Sequence, residues 1–589
     1  MTEELYWQDG PHWPETARKS LDYPEEPLFA ILDRAAEKSG DLPHTVFMGK
    51  SKTFREVRDA ADRIANFLVK RGVKQDDRVA IFLPNVPHFP EVFFGSLKAG
   101  AKVVTCNPLY KKGELKYQLD DTDAVAIFVL DHPTFTPTCY EAIKDTKVET
   151  VVVCSVKPWL SKITAFIGGL IGKVPKSPYY EEDKTFFYDE ILANYEPEVP
   201  TLTVDPHDTA ILIYTGGTTG VPKGAELTHY NLASNLVQIS EWVYLRAEDI
   251  AEDAEPGGAR YGREVYIGAL PWYHSYGLTV TFLMSVFFAG KLVCIPDPRS
   301  GKPPLSDLLK EMADNKGTVF NCVPALYAGV VNHPDIAKYD LTSISICSSG
   351  AAPLPPSLAE EWEKVTGTLL IEGYGLTETS PVTHTNPTNK AHRKFGSIGL
   401  PLPDTICKIL DIDTGTQEMP IGETGEIALH GPQVMKGYWM KPEETAAVMR
   451  DIGGKRFFLT GDIGHMDEEG YTYISDRKKQ MIIVGGLKAY PREIEDTYFE
   501  HPKVKMAAAI GIPRGDDPGN EFVKAFIVLK DGETATPEEF IEWARDKMAG
   551  YKRPREVDIV DELPMSQVGK VLRRVLREEE LKRRGITDA

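Results

Sequence analysis

Short apolar runs rich in β-branched and aromatic residues alternate with helical patterns along the first half of the chain. The runs are RVAIFL (78–83), AVAIFVL (124–130), TVVVC (150–154) and TAILIYT (209–215), and FREVRDAADRIANFLVKRG (54–72) has helical periodicity. Runs of this length are typical of strands, and strands that alternate with helices form parallel sheets whose faces the helices cover. The alternation therefore predicts an α/β fold.

The chain changes character near residue 476, where YTYISDRKKQMIIVGG joins a strand, a charge cluster and a second strand. The elements expected beyond it are a helix from Pro491, strands over 505–512, 522–530 and 556–560, a helix opened by a capping box at Thr536, and a last helix over 571–584. About a hundred residues is near the usual size of one domain. We predict a large domain over 1–475, with mainly parallel sheets and a small barrel-like part, a hinge at 476–479, and a small mobile α+β domain over 480–589.

The net charge of −20 at pH 7 argues against nucleic acid as the main partner, because binding a phosphate backbone needs a broad basic surface. A phosphate-bearing ligand held by a few focused donors is still compatible with this charge. The seven cysteines include no Cys-x-x-Cys pair, and scattered thiols are typical of small core residues in a reducing compartment.

Neither the N-terminus nor the most apolar segment has the pattern of a membrane signal. MTEELYWQDG lacks the basic start and apolar stretch of a signal peptide. LTVTFLMSVFFAG (278–290) is too short to span a bilayer and is predicted to be a buried helix. We therefore expect a cytoplasmic protein.

An insert over 157–176, KPWLSKITAFIGGLIGKVPK, is locally basic and apolar in an otherwise acidic protein. Its apolar residues share one helical face and four lysines flank them, which suits a helix lying on a membrane surface. A helix packed on the protein core fits the same pattern equally well. The sequence leaves both interpretations open, peripheral contact with the inner face of the membrane being the first.

YTGGTTGVPKG (214–224) surrounds a single lysine with glycines and threonines. It follows a predicted strand and precedes a helix that Thr228 is expected to cap, an arrangement that lets backbone N–H groups converge on phosphate. Lys223 is followed by Gly224 rather than Ser or Thr, so the GxxxxGK[ST] pattern of kinases and GTPases is not met. A plain surface turn is the alternative.

Two further motifs carry groups suited to a nucleotide. In EGYGLTE (372–378), Tyr374 could stack on a base, Thr377 bond a phosphate and Glu378 hold Mg²⁺, which favours oxygen ligands. LTGD (459–462) ends in Asp462, which we expect to be exposed and suited to the two hydroxyls of a ribose.

These ordered motifs resemble those of the adenylate-forming superfamily, which includes acyl-coenzyme A synthetases, firefly-type luciferases and peptide-synthetase adenylation domains. The resemblance covers the chain roughly from residue 30 to residue 575. Besides the motifs above, it includes LPWYHSYG (270–277), SSGAAPLP (348–355), GETGEIALHGPQVMKGYWMKPEETA (422–446), DRKK (476–479) and GKVLRR (569–574). So many motifs in the family's order make a chance resemblance negligible.

The resemblance implies a role for each matching residue. The phosphate loop, which binds the ATP phosphates, comprises Thr215, Gly216, Gly217, Thr218, Thr219, Gly220 and Lys223. The other expected nucleotide and coenzyme A contacts are Gly350, Ala351, Tyr374 on adenine, Gly375, Thr377 on the α-phosphate, Asp462 and Arg477 on ribose, Lys479 at the hinge, and Gly485, Gly486 and Lys488 near the pantetheine thiol. Glu378, with Thr215, would hold Mg²⁺. His274 would lie beside the substrate carboxyl, and Tyr276, Leu278 and Gly350 would line the acyl tunnel.

The reaction implied by the resemblance has two steps. A carboxylate attacks the α-phosphorus of ATP to give acyl-adenylate and pyrophosphate, with Lys570 as the catalytic lysine, and coenzyme A then accepts the acyl group. The small domain would rotate about residues 476–479 between the steps, withdrawing Lys570 and presenting Gly485 and Gly486. ATP, Mg²⁺ and coenzyme A are the expected cofactors.

The identity of the acid is less constrained. The insert at 157–176 resembles inserts in bacterial long-chain fatty acyl-coenzyme A ligases, which favours a medium- to long-chain fatty acid. Leu278 stands where some long-chain members carry a gating Trp, so the resemblance does not extend to that gate. A ligase for a short-chain or aryl acid, and a non-catalytic acyl or nucleotide sensor, stay open as alternatives. The oligomeric state is also open, with a dimer among the alternatives.

Overall fold

The computed structural model describes residues 3–15, 17–160, 176–181, 183–199, 202–215, 222–243, 261–514, 517–565 and 571–586. Its strands are, in chain order, β1 Pro43–Phe47, β2 Lys50–Thr53, β3 Arg78–Phe82, β4 Lys102–Thr105, β5 Ala126–Leu130, β6 Thr150–Cys154, β7 Thr185–Phe187, β8 Thr209–Thr215, β9 Lys223–Thr228, β10 Val265–Gly268, β11 Lys291–Cys294, β12 Val319–Cys322, β13 Ile346–Ser349, β14 Leu370–Gly375, β15 Val382–Thr385, β16 Leu400–Pro401, β17 Ile406–Leu410, β18 Gly425–His430, β19 Gly437–Tyr438, β20 Met449–Ile452, β21 Lys455–Met466, β22 Thr472–Arg477, β23 Ile482–Val484, β24 Leu487–Ala489, β25 Val504–Arg514, β26 Asp517–Leu529 and β27 Glu556–Ile559.

The helices connect and cover these strands. They are α1 Ala30–Ser39, α2 Phe54–Lys70, α3 His88–Lys98, α4 Lys112–Thr122, α5 Phe135–Ala142, α6 Tyr188–Asn194, α7 His229–Val243, α8 Ser275–Gly277, α9 Met284–Phe287, α10 Ser306–Asp314, α11 Pro324–Val331, α12 Pro356–Thr366, α13 Pro442–Val448, α14 Pro491–Phe499, α15 Pro537–Lys547 and α16 Arg573–Arg584. Short 3₁₀ helices are Glu3–Asp9, Lys157–Trp159, Ile336–Lys338, Thr377–Thr379 and Lys478–Gln480, and Leu278–Leu283 is a π-helix.

Two large, mainly parallel sheets form the N-terminal region, as the alternating runs predict. One has the order β16-β15-β14-β13-β12-β10-β11-β1-β2, and the other has the order β19-β9-β8-β4-β3-β5-β6-β7. Within the second sheet β8, β4, β3, β5, β6 and β7 are parallel. The order of strands requires crossover connections, which the intervening helices supply.

Helix α3 lies in the core between these sheets. Every residue of α3 is buried, and its buried charges are paired, since Lys52 Nζ donates to Glu91 across 2.7 Å and Lys98 Nζ donates to Asp62 across 2.6 Å. Its Phe89 and Phe93 pack edge to face on Phe282 of the π-helix, with ring centroids 5.9 and 5.3 Å apart. Gly95 allows α3 to approach α2, because a Cβ at this position would lie 2.7 Å from Ile64 Cγ2. The segment 278–290 is therefore helical and buried along most of its length, as predicted.

A five-stranded antiparallel sheet follows, with the order β17-β18-β21-β20 and β22 paired to β21. It occupies the part of the chain between the large sheets and the small domain. β22 extends to Arg477, which pairs with Asp462 of β21. The predicted hinge thus begins on the last two residues of a strand and continues into the 3₁₀ helix Lys478–Gln480.

The C-terminal part is α+β, with the hairpin β23–β24, the three-stranded sheet β25-β26-β27, and helices α14, α15 and α16. These elements match the predicted ones within a few residues. The capping box expected at Thr536 is wrong, because the Thr536 side chain makes no capping hydrogen bond. Pro537 at the first helical position has no N–H to satisfy, and its ring already fixes the helical φ angle.

The structure tests three further predictions made from the sequence. Thr228 caps α7 as predicted, since Asn231 N–H donates to Thr228 Oγ1 across 3.0 Å. Lys223 lies at the start of strand β9, paired to Thr215 of β8, rather than in a loop that leads directly into a helix. All seven cysteines are free and buried, in agreement with the prediction of core thiols.

Candidate active site at the junction of three sheets

A cavity of about 1080 Å³ lies where both large sheets meet the antiparallel sheet. The carboxyl ends of β8 and β13 reach it at Thr215 and Gly350, and the end of β14 reaches it at Tyr374. β21 and the end of β22 close another side. Ligand sites of α/β proteins lie at such strand ends, because the loops there are free to vary while the sheet holds them in place.

The cavity gathers most of the predicted site residues that the structure describes. Those lining it are Thr215, Lys223, His274, Tyr276, Gly350, Ala351, Tyr374, Gly375, Thr377, Glu378, Arg477 and Lys479. Five others do not line it, namely Asp462, Leu278, Gly485, Gly486 and Lys488. Gly216, Gly217, Thr218, Thr219, Gly220 and Lys570 lie outside the described residues.

Asp462 is a buried partner of two cavity residues rather than an exposed group. Only 2% of it is exposed, so the sequence expectation of an exposed carboxylate is wrong. Tyr374 Oη donates to Asp462 Oδ2 across 2.5 Å, and Arg477 Nε lies 2.8 Å from Asp462 Oδ1. The charge of Asp462 raises the pKa of Arg477. Charge-assisted hydrogen bonds of this kind fix orientation, so Asp462 holds both cavity-lining groups in place.

Glu378 supplies a buried carboxylate in the short helix Thr377–Thr379. It is 9% exposed, and Tyr438 Oη donates to its Oε1 across 2.8 Å. Burial raises the pKa of Glu378, although the hydrogen bond from Tyr438 acts in the opposite direction. Beside it, the hydroxyls of Thr377 and Ser275 lie 3.2 Å apart. These oxygens give the cavity one carboxylate and several hydroxyls at a single place.

The oxygen donors suit a magnesium ion that arrives with a nucleotide. Among the described residues, no group of three or more His, Cys, Asp and Glu could hold a metal. Mg²⁺ usually keeps several waters and is held by one or two carboxylates together with substrate phosphates. Glu378, with the predicted second ligand Thr215 lining the same cavity, fits that mode of binding.

His274 and Tyr276 form the wall near Gly350. Burial lowers the pKa of His274 to about 4, so its imidazole is neutral near pH 7. Its Nδ1 accepts a hydrogen bond from Tyr276 N–H across 3.2 Å. Tyr276 Oη in turn donates to the Ser348 carbonyl across 3.1 Å. A Cβ on Gly350 would lie 3.0 Å from Tyr276 Cζ, so glycine is what permits this close approach.

Apolar side chains complete the lining of the cavity. They include Ile239, Val243, Val280, Leu402, Val382 and Pro381. Leu278 is fully buried at the start of the π-helix and is not among the lining residues. Its role in an acyl tunnel stays a prediction.

Lysines and carboxylates pair along the wall that includes Lys223. Lys223 forms an ion pair with Glu444 of α13, and its ammonium lies 5.3 Å from the centre of the Tyr438 ring. Lys441 Nζ lies 3.2 Å from Asp121 Oδ1, and Tyr214 Oη donates to Asp121 Oδ2 across 2.6 Å. All of these residues line the cavity.

Four residues of this wall were not predicted from the sequence to have a role. Tyr438, Lys441 and Glu444 belong to GYWMKPEETA, within the matched motif over 422–446, and that motif was the available signal. Asp121 lies in α4, far along the chain from every motif, and nothing in the sequence marked it.

The predicted hinge carries side chains that contact both sides of the boundary. Asp476 is 2% exposed, and its Oδ2 accepts a hydrogen bond from Arg492 N–H of α14 across 2.7 Å. Lys478 Nζ donates to Glu426 Oε2 across 2.8 Å, on the side of the large domain. Successive residues of an extended strand face opposite ways, so Asp476 reaches the small domain while Arg477 faces the cavity.

The hairpin β23–β24 lies away from the cavity in this structure. Gly485 and Gly486 form its turn with φ of +59° and +81°, where glycine is favoured. Lys488 lies 3.6 Å from Asp413, a contact with the large domain outside the cavity. The structure therefore does not bring the three predicted thiol-step residues to the nucleotide site.

The insert over 157–176 is described only at its two ends. Trp159 is 6% exposed and packs edge to face on Phe47, with ring centroids 6.1 Å apart. This places Trp159 in the core rather than on a membrane-facing side, and residues 161–175 lie outside the described part. No helix in the described ranges is both long enough and apolar enough to cross a membrane.

Comparisons with known proteins match most of the chain. The AMP-binding enzyme family model matches residues 32–439, and the model of the AMP-binding enzyme C-terminal domain matches residues 493–570. The long-chain-fatty-acid–CoA ligase of Bacillus subtilis (strain 168) is 40% identical over 96% of this chain and 97% of the relative. The relative of the same name from Haemophilus influenzae is 35% identical over 99% of both chains.

Solved structures share the fold. The anthranilate CoA ligase AuaEII in complex with anthranoyl-AMP has a TM-score of 0.79 at 25% identity, covering 96% of this chain and 99% of that one. ATP-bound MatB from Rhodopseudomonas palustris has a TM-score of 0.75 at 29% identity, covering 94% and 99%. By sequence motifs, fold and cavity, the chain belongs to the AMP-binding enzyme family.

Proposed function

We propose that this protein is an ATP-dependent acid–thiol ligase that activates a medium- to long-chain fatty acid as acyl-AMP and transfers the acyl group to coenzyme A. The observation that carries the proposal is a single cavity lined by two kinds of side chain. Tyr374 and Arg477, both held by the buried Asp462, line it together with Glu378 and Lys223, and the neutral His274 and several apolar side chains line the same cavity. A nucleotide and an apolar acid can meet there.

In the first step the chain would neutralise charge and align the reactants. Lys223 and the adjacent loop would hold the phosphates, Tyr374 would pack on the adenine, and Arg477 would meet the ribose. A magnesium ion, when bound, offsets phosphate charge, and Glu378 is the carboxylate suited to hold it. Preorganised charges of this kind in a water-poor site lower the barrier without reorganising during the reaction.

The neutral imidazole of His274 suits the place beside the substrate carboxylate. A protonated histidine would form an ion pair with the carboxylate and weaken it as a nucleophile. The carboxylate oxygen forms the new bond to the α-phosphorus as the bond to pyrophosphate breaks. Tyr276 and Gly350 would then fix the direction in which the acyl chain extends from the reacting carboxylate.

For the second step we propose domain alternation about residues 476–479, between a large domain over 1–475 and a small one over 480–589. Support comes from the position of the hairpin, because Gly485 and Gly486 must move to reach the cavity from where they lie now. Such a rotation would break the contacts of Asp476 with α14 and of Lys478 with Glu426 and replace them with others.

The fatty acid as substrate is supported by the apolar lining and by the names of the full-length relatives, which are long-chain-fatty-acid–CoA ligases. A more distant relative, 30% identical, is a probable 4-coumarate–CoA ligase from Dictyostelium discoideum. An aryl acid is therefore the second candidate substrate.

Pyrophosphate release across a panel of acids, with and without coenzyme A, tests the proposal. We expect release with C8–C18 fatty acids, and thioester only when coenzyme A is present. Activity confined to aryl or short-chain acids would change the proposed substrate class but leave the proposed reaction unchanged. No release with any acid would overturn the enzymatic proposal in favour of a non-catalytic relative.

We also propose a cytoplasmic location with peripheral contact at the inner face of the membrane through 157–176. The basic and apolar composition of the insert supports this proposal, whereas the buried Trp159 takes no part in it. Co-sedimentation with anionic vesicles at low and high salt tests it, because each lysine near such a surface contributes about 1 kcal/mol that salt screens. Binding that is absent at low salt would contradict it. The oligomeric state, a dimer among the alternatives, is tested by light scattering.

A further inference from the structure

The ion pair between Lys223 and Glu444 occupies the lysine that the proposed function assigns to ATP phosphates. Lys223 begins β9, directly after the phosphate loop, and Glu444 lies in the first turn of α13. Both side chains line the cavity and are partly open to solvent, with 24% of Lys223 and 48% of Glu444 exposed. An ammonium that binds a carboxylate here cannot make the same contacts with a phosphate.

Glu444 is surrounded by lysines rather than by one alone. Lys441 and Lys479 line the same cavity. The hydrogen bond from Lys223 holds the pKa of Glu444 below its ordinary value, and the charges of Lys479 and Lys441 act in the same direction. Glu444 is therefore ionised at neutral pH and contributes a negative charge where a polyphosphate would need positive ones.

The neighbouring acid, Glu443, differs from Glu444 in its position relative to the cavity. It lies in the same turn of α13 and is exposed, but it does not line the cavity. Glu443 and Glu444 thus carry the same charge at adjacent positions, and only Glu444 lines the cavity.

We propose that Glu444 is a resident counterion of the phosphate-binding lysine Lys223, displaced when a polyphosphate enters and returning when pyrophosphate leaves. Glu444 would thereby set the affinity of the cavity for polyphosphate anions and promote product release. The effect of Glu444 on polyphosphate binding depends only on its ion pair with Lys223. The role of Glu444 in product release rests in addition on the proposed ligase function.

The expected size of the effect is modest, because the pair is partly solvated. Exposed ion pairs and single partly screened charges change binding constants by about two- to fivefold. Salt should reduce the difference, since the Debye length is about 10 Å at 0.1 M ionic strength.

Calorimetric titration of the full chain with magnesium pyrophosphate tests the proposal without turnover. We expect Glu444→Gln to lower the Kd for pyrophosphate about two- to fivefold, Glu444→Ala to do the same, and Glu443→Gln to leave it unchanged. In the background of Lys223→Gln the gain from Glu444→Gln should disappear. Unchanged or weaker binding by both Glu444 variants, or an equal gain in Glu443→Gln, would overturn the proposal.

Steady-state kinetics connect the same variants to the reaction. Product inhibition by pyrophosphate should become about two- to fivefold stronger in Glu444→Gln and not in Glu443→Gln. A residue that merely positioned Lys223 would give the reverse, with weaker inhibition and a higher KM for ATP. If the binding shift appears in a protein that forms no acyl-AMP, the ligase proposal fails and the counterion stands. If acyl-AMP forms normally without a binding shift, the counterion alone fails.

Discussion

The phenol of Tyr374 donates a hydrogen bond to one oxygen of the Asp462 carboxylate, and the guanidinium of Arg477 pairs with the other oxygen. Burial raises the pKa of Tyr374, with the charge of Asp462 acting in the same direction, so the phenol keeps its proton. The ring proposed to pack on adenine and the guanidinium proposed to meet ribose are therefore oriented by one buried group.

Tyr374→Phe keeps the ring and removes the hydrogen bond to Asp462. The loss of one hydrogen bond to a charged group corresponds to about 1.5–3 kcal/mol when the acceptor stays buried. We expect the KM for ATP to rise about tenfold or more, with a smaller change in the KM for the acid. Initial rates at varied ATP measure this, and an unchanged KM for ATP would show that the Asp462 contact does not orient the ring.

Gly350→Ala should disturb the acyl wall specifically. The new Cβ would lie 3.0 Å from Tyr276 Cζ, and overpacking of this kind costs about 1–3 kcal/mol. We expect the KM for the fatty acid to rise or its preferred chain length to change, with a smaller change in the KM for ATP, because Gly350 is also an expected nucleotide contact. Gly113→Ala is a matched control, since a Cβ there meets nothing within 4 Å. Equal effects of both changes would contradict the assignment.

Glu372→Gln should change how stability depends on pH. Burial raises the pKa of Glu372 to about 7, against an opposing influence of Arg492. Its folded-state pKa exceeds its unfolded one, so the native state binds the extra proton between pH 4.5 and 7. This group therefore lowers the free energy of unfolding as pH rises through that window, by about 1.4 kcal/mol per unit.

Because glutamine does not titrate, the variant should gain stability relative to the wild type as pH rises from 4.5 to 7. Urea denaturation at several pH values measures the difference. A pH-independent difference would mean that Glu372 is ionised throughout, or that its burial is lost before unfolding.

Lys570→Ala should separate the two half-reactions. In the proposed alternation Lys570 is near ATP only during the first step, and losing one preorganised contact costs on the order of 10²–10³ in rate. We expect acyl-AMP formation to fall by that factor while thioester formation from supplied acyl-AMP stays near the wild-type rate. Equal losses in both steps would argue against domain alternation.

Motifs with strong local character were predictable from the sequence. Tyr374, Glu378 and Arg477 lie in contiguous motifs, and the strands and helices around them follow from short apolar runs and from periodicity. The position of Thr228 at a helix start is equally local, because its hydroxyl serves the N–H of a residue three positions on.

The remaining features depend on contacts that a linear pattern does not contain. The burial of Asp462 is set by its partners from β14 and β22, and nothing in LTGD distinguishes a buried acid from an exposed one. Asp121 and Glu444 enter the cavity from helices distant in sequence. Thr536 matched a capping pattern, yet Pro537 already begins the helix there without the side-chain bond.

The most direct test of the ligase account uses a fatty acid labelled with ¹⁸O in its carboxyl group. Attack of the carboxylate on the α-phosphorus makes one labelled oxygen the bridge of acyl-AMP, and the thiol then breaks the acyl carbon–oxygen bond. We expect one ¹⁸O atom in the AMP released with the thioester and none in pyrophosphate, as measured by mass spectrometry. Thioester formed with unlabelled AMP, or label in pyrophosphate or inorganic phosphate, would contradict the account.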